Sequence, residues 1–167
     1  MPPLLQRRPT AELVAVSWIA TIPGIGPDIV ATQVPPDANK DGTPAAWVAR
    51  GQGFVQVIAI GGNPDPLLPV HRTVFQVDTW AAKPGSNKPP WEIANVLAET
   101  IVFATWDRVT LSRRLDIRVK GEPYPPAVVQ GARVLTDPRR TWGDTGAYAH
   151  YSMDLQLQWM SLRDVLA

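Results

Sequence analysis

The chain contains no cysteine. That excludes disulfides and thiolate metal sites, and it suits a protein that never meets an oxidising compartment. Long hydrophobic runs are missing as well. No segment approaches the ~20 apolar residues of a membrane span, and the opening MPPLLQRRP lacks the apolar stretch of a secretory leader. There is no excess of one charge: 16 Lys+Arg stand against 15 Asp+Glu, a net charge of +1. Such a balance predicts neither a nucleic-acid surface nor an acidic partner. Charged residues make up 19% and hydrophobic ones 45%, a globular and slightly charge-poor composition. The 167 residues fit a single domain, 1–167, with enough chain to bury a real core.

Proline and tryptophan are in excess. The 18 prolines are about twice the usual ~5%. They cluster between the periodic apolar segments, at 23–44, 64–69, 84–90 and 123–126, and so mark stiff, extended connections. Proline-rich loops are expected at 35–44, 62–70 and 82–90. The seven tryptophans suit a core and also an interface.

The clearest pattern is at the end of the chain. Ala147 to Met160 reads AYAHYSMDLQLQWM. Ala147, Ala149, Tyr151, Met153, Leu155, Leu157 and Trp159 alternate with Tyr148, His150, Ser152, Asp154, Gln156 and Gln158. Period two predicts a strand with one dry and one wet face, and a wet face points to an antiparallel sheet. At ~3.3 Å per residue the strand spans on the order of 45 Å. A small domain has little core to cover it, so part of it is expected to overrun the fold or to lie against another subunit.

Other elements follow from spacing. Pro9 to Thr21 predicts a helix with few polar positions, ended by Ile22-Pro23-Gly24. Ile29–Val34 is a short strand candidate, and Pro35–Pro44 a turn-rich loop. Phe54–Ile60 and Arg72–Ala81 predict strands paired as a hairpin around GGNPDPLLP. Pro90 to Trp106 predicts the main helix, with Ile93, Leu97, Ile101 and Ala104 as its stripe. Leu115–Lys120 and Ala127–Thr136 predict strands, separated from the last by a polar loop, DPRRTWGDTG. The order implies an α+β fold: a mostly antiparallel sheet with two helices packed on one face.

Catalytic signatures are sparse. His71 has Asp65 nearby, and His150 lies four residues before Asp154, but no HExxH or related spacing supports a metal or general base. Two surface histidines are the expectation. Gly51, Gly53, Gly61 and Gly62 do not open a helix after a strand, so they read as turn glycines rather than a phosphate loop. Ser17 and Ser152 lack a nucleophile-elbow context. Asp78 and Asp154 read as solvated carboxylates on strand faces. Arg108, Arg113, Arg114, Arg118 and Lys120, with Arg133 further on, read as solvated basic positions, since a nucleic-acid groove also needs exposed aromatics. Neither enzymatic activity nor a cofactor is expected.

At GGNPDPLLPVHRTVFQVDTWAA the chain resembles a known group. A strand ending in Gly-Gly, a proline loop and a strand reading xVDxWA precede an alanine-rich helix, and the chain closes on a Tyr-containing alternating strand. This pattern resembles the tail terminator proteins of long-tailed bacteriophages, the lambda-type family. The resemblance covers about Phe54 to Phe103 and Ala147 to Trp159. The loop at Pro35–Pro44 and the insert KPGSNKPP depart from many relatives. The resemblance implies a structural virion protein without catalysis. It would form a homo-oligomeric ring, a hexamer in the family. The ring would cap the head-proximal end of the tail tube, stop its polymerisation and meet the neck proteins. DNA would be a partner only as it passes through the lumen, and no membrane is involved. Assembly would take place in the bacterial cytoplasm. Another head-closure or connector protein, or a small-ligand or enzymatic α+β domain, are the alternatives. On this reading the subunit contacts draw on Lys83 and Lys88 in one loop and Arg139, Arg140 and Trp142 in another. Asp37 or Asp41 of the neighbouring copy would face the arginines.

Overall fold

The computed structural model describes residues 8–141 and 147–165. It combines helices with a curled, mixed six-stranded sheet whose order is β1-β2-β3-β8-β7-β4. Helix α1 is Ala11–Ala20, followed by a 3-10 turn at Pro27–Ile29 and strand β1, Val30–Ala31. A short α2, Ala46–Ala49, leads to β2, Phe54–Pro64, and β3, His71–Ala82. Then come α3, Trp91–Trp106, and α4, Arg108–Leu111. Short strands β4 (Arg113–Leu115), β5 (Arg118–Val119) and β6 (Glu122–Pro123) precede the long β7, Ala127–Arg140, and β8, Tyr148–Ser161; a last turn, α5, is Leu162–Val165.

The closing strand forms where its alternation predicts. Met153, Leu155 and Leu157 are buried and meet Val77, Phe75 and Thr73 across the antiparallel β3 pairing. It does not overrun the fold. Strand β3 flanks it from Ala82↔Tyr148 to His71↔Trp159, and β7 flanks the other side from Arg140↔Tyr151 to Ala127↔Ser161. Its length is absorbed because both neighbours are long too.

Helix α1 starts two residues later than the expected Pro9, because the Thr10 side chain accepts from Leu13 N at 3.2 Å and caps it. It is apolar on most sides, and Val14, Ala15, Trp18 and Ile19 are fully buried. It touches β1 and β2 at one edge of the sheet and β4 at the other, so the sheet curls around it. The Trp18 Nε1 donates to Thr110 O at 2.8 Å, which locks α1 to α4. Helix α3 packs along β3, β8 and β7. Its contact stripe is Ala94, Leu97, Ala98, Ile101 and Val102. Ile93 is only partly buried and packs at the margin with Ala81 and Ala149, because the small Ala94 and Ala98 let the helix approach by that face. The Thr79 hydroxyl donates to Ala94 O at 2.8 Å and fixes this approach.

Several expectations are corrected. Only Val30–Ala31 of the 29–34 segment is strand, and it pairs parallel to β2. The 115–120 strand is broken: Leu115 ends β4, and Arg118–Val119 pairs with Glu122–Pro123 through a tight turn at Lys120 and Gly121, both at positive φ. The 62–70 loop is shorter, because β2 runs through Gly61, Gly62 and Pro64 with a bulge between Ala59 and Gly61. The whole DPRRTWGDTG segment is expected as loop, yet β7 continues to Arg140. Trp142 lies outside the described residues.

Candidate functional site

Two features stand out: a buried polar row on the wet face of the sheet, and exposed apolar surface at the two ends of α1.

The row follows from register. Trp80 pairs with His150, and Asp78 with Ser152. The wet face therefore brings Asp78, Trp80 and His150 together. The Trp80 and His150 rings stack with centroids 3.9 Å apart and planes 7° apart. Asp78 Oδ1 lies 3.1 Å from His150 Nε2, close enough for an ion pair but not aligned as a hydrogen bond. Gln76 Nε2 donates to Asp78 Oδ2 at 2.9 Å. On the far side, Thr141 Oγ1 is 2.8 Å from His150 Nδ1 and also 3.1 Å from the His150 carbonyl. Burial pushes the Asp78 carboxyl up. The polar groups of His150, Ser152 and Gln76 beside it, with the nearby imidazole charge, more than offset this and hold it below the ordinary range. Neither Asp78 nor His150 is the solvated surface group expected from sequence: Asp78 is 3% exposed. Asp154 is not the histidine's partner.

A hydroxyl, an imidazole and a carboxylate in a row is the arrangement of an activated nucleophile. Here the threonine hydroxyl is also tied to the carbonyl of the same histidine, and the indole of Trp80 covers the ring. The row joins Thr141, just past β7, to β8 and β3. Among the described residues no group of three or more His, Asp or Glu could hold a metal ion. His71 stacks on Trp159, with centroids 4.3 Å apart.

The residues expected to make subunit contacts lie apart. Lys83 and Lys88 are exposed in the turn after β3, where Ser86 Oγ donates to Lys88 O at 2.9 Å. Arg139 and Arg140 are exposed strand residues, and the Arg140 guanidinium sits 3.5 Å over the Trp91 ring. Asp37 accepts a short hydrogen bond from the Tyr148 hydroxyl, which raises the tyrosine pKa above its ordinary value. Asp41 accepts from Thr43 N at 3.0 Å and Thr43 Oγ1 at 2.6 Å, and these bonds hold its carboxyl below the ordinary range. The 35–44 loop is thus a closed turn, with Asn39 N donating to Thr43 O at 2.7 Å. Trp47 pins it to the sheet through Pro36 O at 3.2 Å and an edge contact with Phe54. It is not a free arm.

The second feature was not singled out from the sequence. Phe103 is 60% exposed, Trp106 69% and Val109 75%. Phe103 and Trp106 meet edge to face at 5.5 Å. Beside them is a depression of about 240 Å³ lined by Ile22, Pro23, Thr100, Phe103, Ala104, Asp107 and Thr110. Leu67 and Leu68, at the tip of the β2–β3 hairpin, are 90% and 60% exposed. The signal was available, because Val96, Phe103 and Trp106 are apolar positions off the buried stripe of α3.

Compared with known proteins, the chain matches no family model and no curated protein. Among the described residues, no helix is long and apolar enough to cross a membrane.

Proposed function

We propose that the protein is a structural virion component of the tail-terminator kind: a ring-forming cap at the head-proximal end of a phage tail tube that stops polymerisation and joins tail to neck. The observation that carries this reading is the pair of exposed apolar patches, Leu67–Leu68 and Phe103–Trp106–Val109. Exposed apolar side chains grouped in this way favour a site where a partner docks. The resemblance at residues 54–103 and in the closing strand supplies the identity of the assembly. We further read the fold as mostly antiparallel with both helices on one face. In support, β1–β2 is the parallel pairing in a sheet whose other neighbours pair antiparallel, and α1 and α3 contribute to one buried cluster.

The partners on this reading are further copies of the chain, six in the family's ring, then the tube protein and a neck protein, with DNA passing through the lumen. The site of action is the virion tail, reached after assembly in the bacterial cytoplasm. No cofactor takes part. Adding the purified protein to polymerising tube protein of the same phage tests the proposal. Tube growth should stop, with the protein at one tube end. Unchanged tube lengths contradict it, and binding to the head connector instead of the tube reassigns the protein to head closure.

A further inference from the structure

We propose that the recess between residues 34–37 and the end of the sheet that carries Trp80 and Tyr148 is a binding site for a methylated ammonium head group. The site stands apart from the ring reading and does not depend on it.

Register builds the floor. Trp80 pairs with Phe54 on one side and His150 on the other. Tyr148 lies two residues before His150, so these four side chains share the wet face. The connection between β1 and β2 folds over this end of the sheet. Trp47 of α2 meets Phe54 edge to face with centroids 6.1 Å apart, and its Nε1 donates to Pro36 O at 3.2 Å. A recess of about 180 Å³ remains, bordered by Trp47, Trp80 and Tyr148, by Val34 and Pro35, and by Asp37. Its walls are fixed from within the fold. Trp80 is stacked flat on His150 at 3.9 Å, the Tyr148 hydroxyl donates to Asp37, and Ala45 N donates to Asp37 O at 2.8 Å. Walls already held in place lose little entropy when a ligand enters.

The lining selects the ligand. Trp47, Trp80 and Tyr148 around the Asp37 carboxylate attract a cation, through the negative faces of the rings and the charge of the acid. The size admits a head group only, because pockets for whole small molecules start at about 300 Å³. Acceptors are few. The side chains at the recess offer the Asp37 carboxylate and the Tyr148 oxygen, and these are already engaged with each other. The indole nitrogens only donate. A primary ammonium brings three N–H donors and is strongly hydrated. It would leave water for a lining that cannot replace its hydrogen bonds. A quaternary ammonium carries its charge beneath methyl groups and needs no acceptor, so it gives up less and gains the aromatic contacts.

The test compares probes that differ in one feature each. Choline, 3,3-dimethylbutan-1-ol (the same shape without the charge) and ethanolamine (the same charge without the methyl groups) are titrated into the full chain at constant ionic strength. The indole N–H signals are followed by two-dimensional NMR, with the Trp47 signal assigned from a Trp47→Phe spectrum. Choline should move the Trp47 signal and saturate at a concentration about tenfold or more below either other probe, the scale that desolvated cation–π contacts supply. Asp37→Asn, with its fold checked by thermal melting, should weaken choline about fivefold. Asp116→Asn, which removes the same charge outside the recess, should not. No movement of the Trp47 signal at millimolar choline overturns the site. Equal affinity for the uncharged alcohol overturns the cation assignment, and equal affinity for ethanolamine overturns the preference for a methylated head. Unchanged choline affinity in Asp37→Asn overturns the role of the carboxylate. The probe comparison uses the unaltered chain, so it decides the matter even where Asp37→Asn does not fold.

Discussion

Asp78 and His150 meet across the β3–β8 pairing with Oδ1 3.1 Å from Nε2, and Trp80 lies flat on the imidazole. The pair has a pH signature. The folded carboxyl titrates below its unfolded value, so its contribution is fully present above the ordinary carboxylate range. It is lost as pH falls through the folded pKa. Asp78→Asn should cost about 2 kcal/mol at pH 7. The difference between wild type and variant in urea melts should shrink toward zero below the carboxylate range. A constant difference across that range contradicts the pairing.

The core prediction concerns α3. Leu97 is 6% exposed and lies within the main buried cluster with Phe75, Leu155 and Leu157. Leu97→Ala should cost about 2–5 kcal/mol, cavity included. Denaturant melts giving less than about 1 kcal/mol contradict this packing.

Gly62 should be intolerant of any side chain. It sits in β2 at φ +109°, and a Cβ there would fall 2.1 Å from Arg72 O and 2.7 Å from Thr73 Cα. Both are backbone atoms of the paired strand and cannot swing aside. Gly62→Ala should therefore cost at least about 2 kcal/mol, in line with the usual cost of a strained backbone plus a steric shift. Gly61→Ala, which meets nothing within 4 Å, is the control. Equal melting of the two variants contradicts the bulged register.

Tyr148 anchors the 35–44 turn through Asp37. Its raised pKa means that the bond stabilises the fold below the ordinary tyrosine pKa and is lost as pH rises through the raised value. Tyr148→Phe should cost about 1 kcal/mol. It should also remove the latest-ionising phenol from an ultraviolet titration of the three tyrosines. If the variant keeps that late ionisation, another tyrosine carries it.

What the sequence made legible was periodic and local. The dry face of β8 and the existence of α3 follow from repeats within single segments. The partner of His150 does not. Along a strand, a residue four positions on is about 13 Å away, so Asp154 is out of reach, while register brings Asp78 next to it from a different part of the chain. Polarity makes residues 137–146 read as a loop, and Pro138 lies within it. However, β4 pairs only with Val129, Val128 and Ala127, so beyond them β7 is an edge. There proline loses no ladder bond, and irregular pairing near Thr136 absorbs it. Pro64 in β2 is tolerated in the same way, since β1 pairs only with Val55 and Gln56. The exposed apolar surface was missed because the helix was read for its buried stripe alone, and Phe103 and Trp106 carry their signal on the other side.

On the proposed function, this protein ends tail growth. Its most direct test is tail length, measured by electron microscopy on the phage that carries the gene, with the gene disabled and then restored in trans. Tails should grow well past their normal length without it, stay detached from heads, and return to normal length on complementation. Tails of normal length in the absence of the protein would contradict the account.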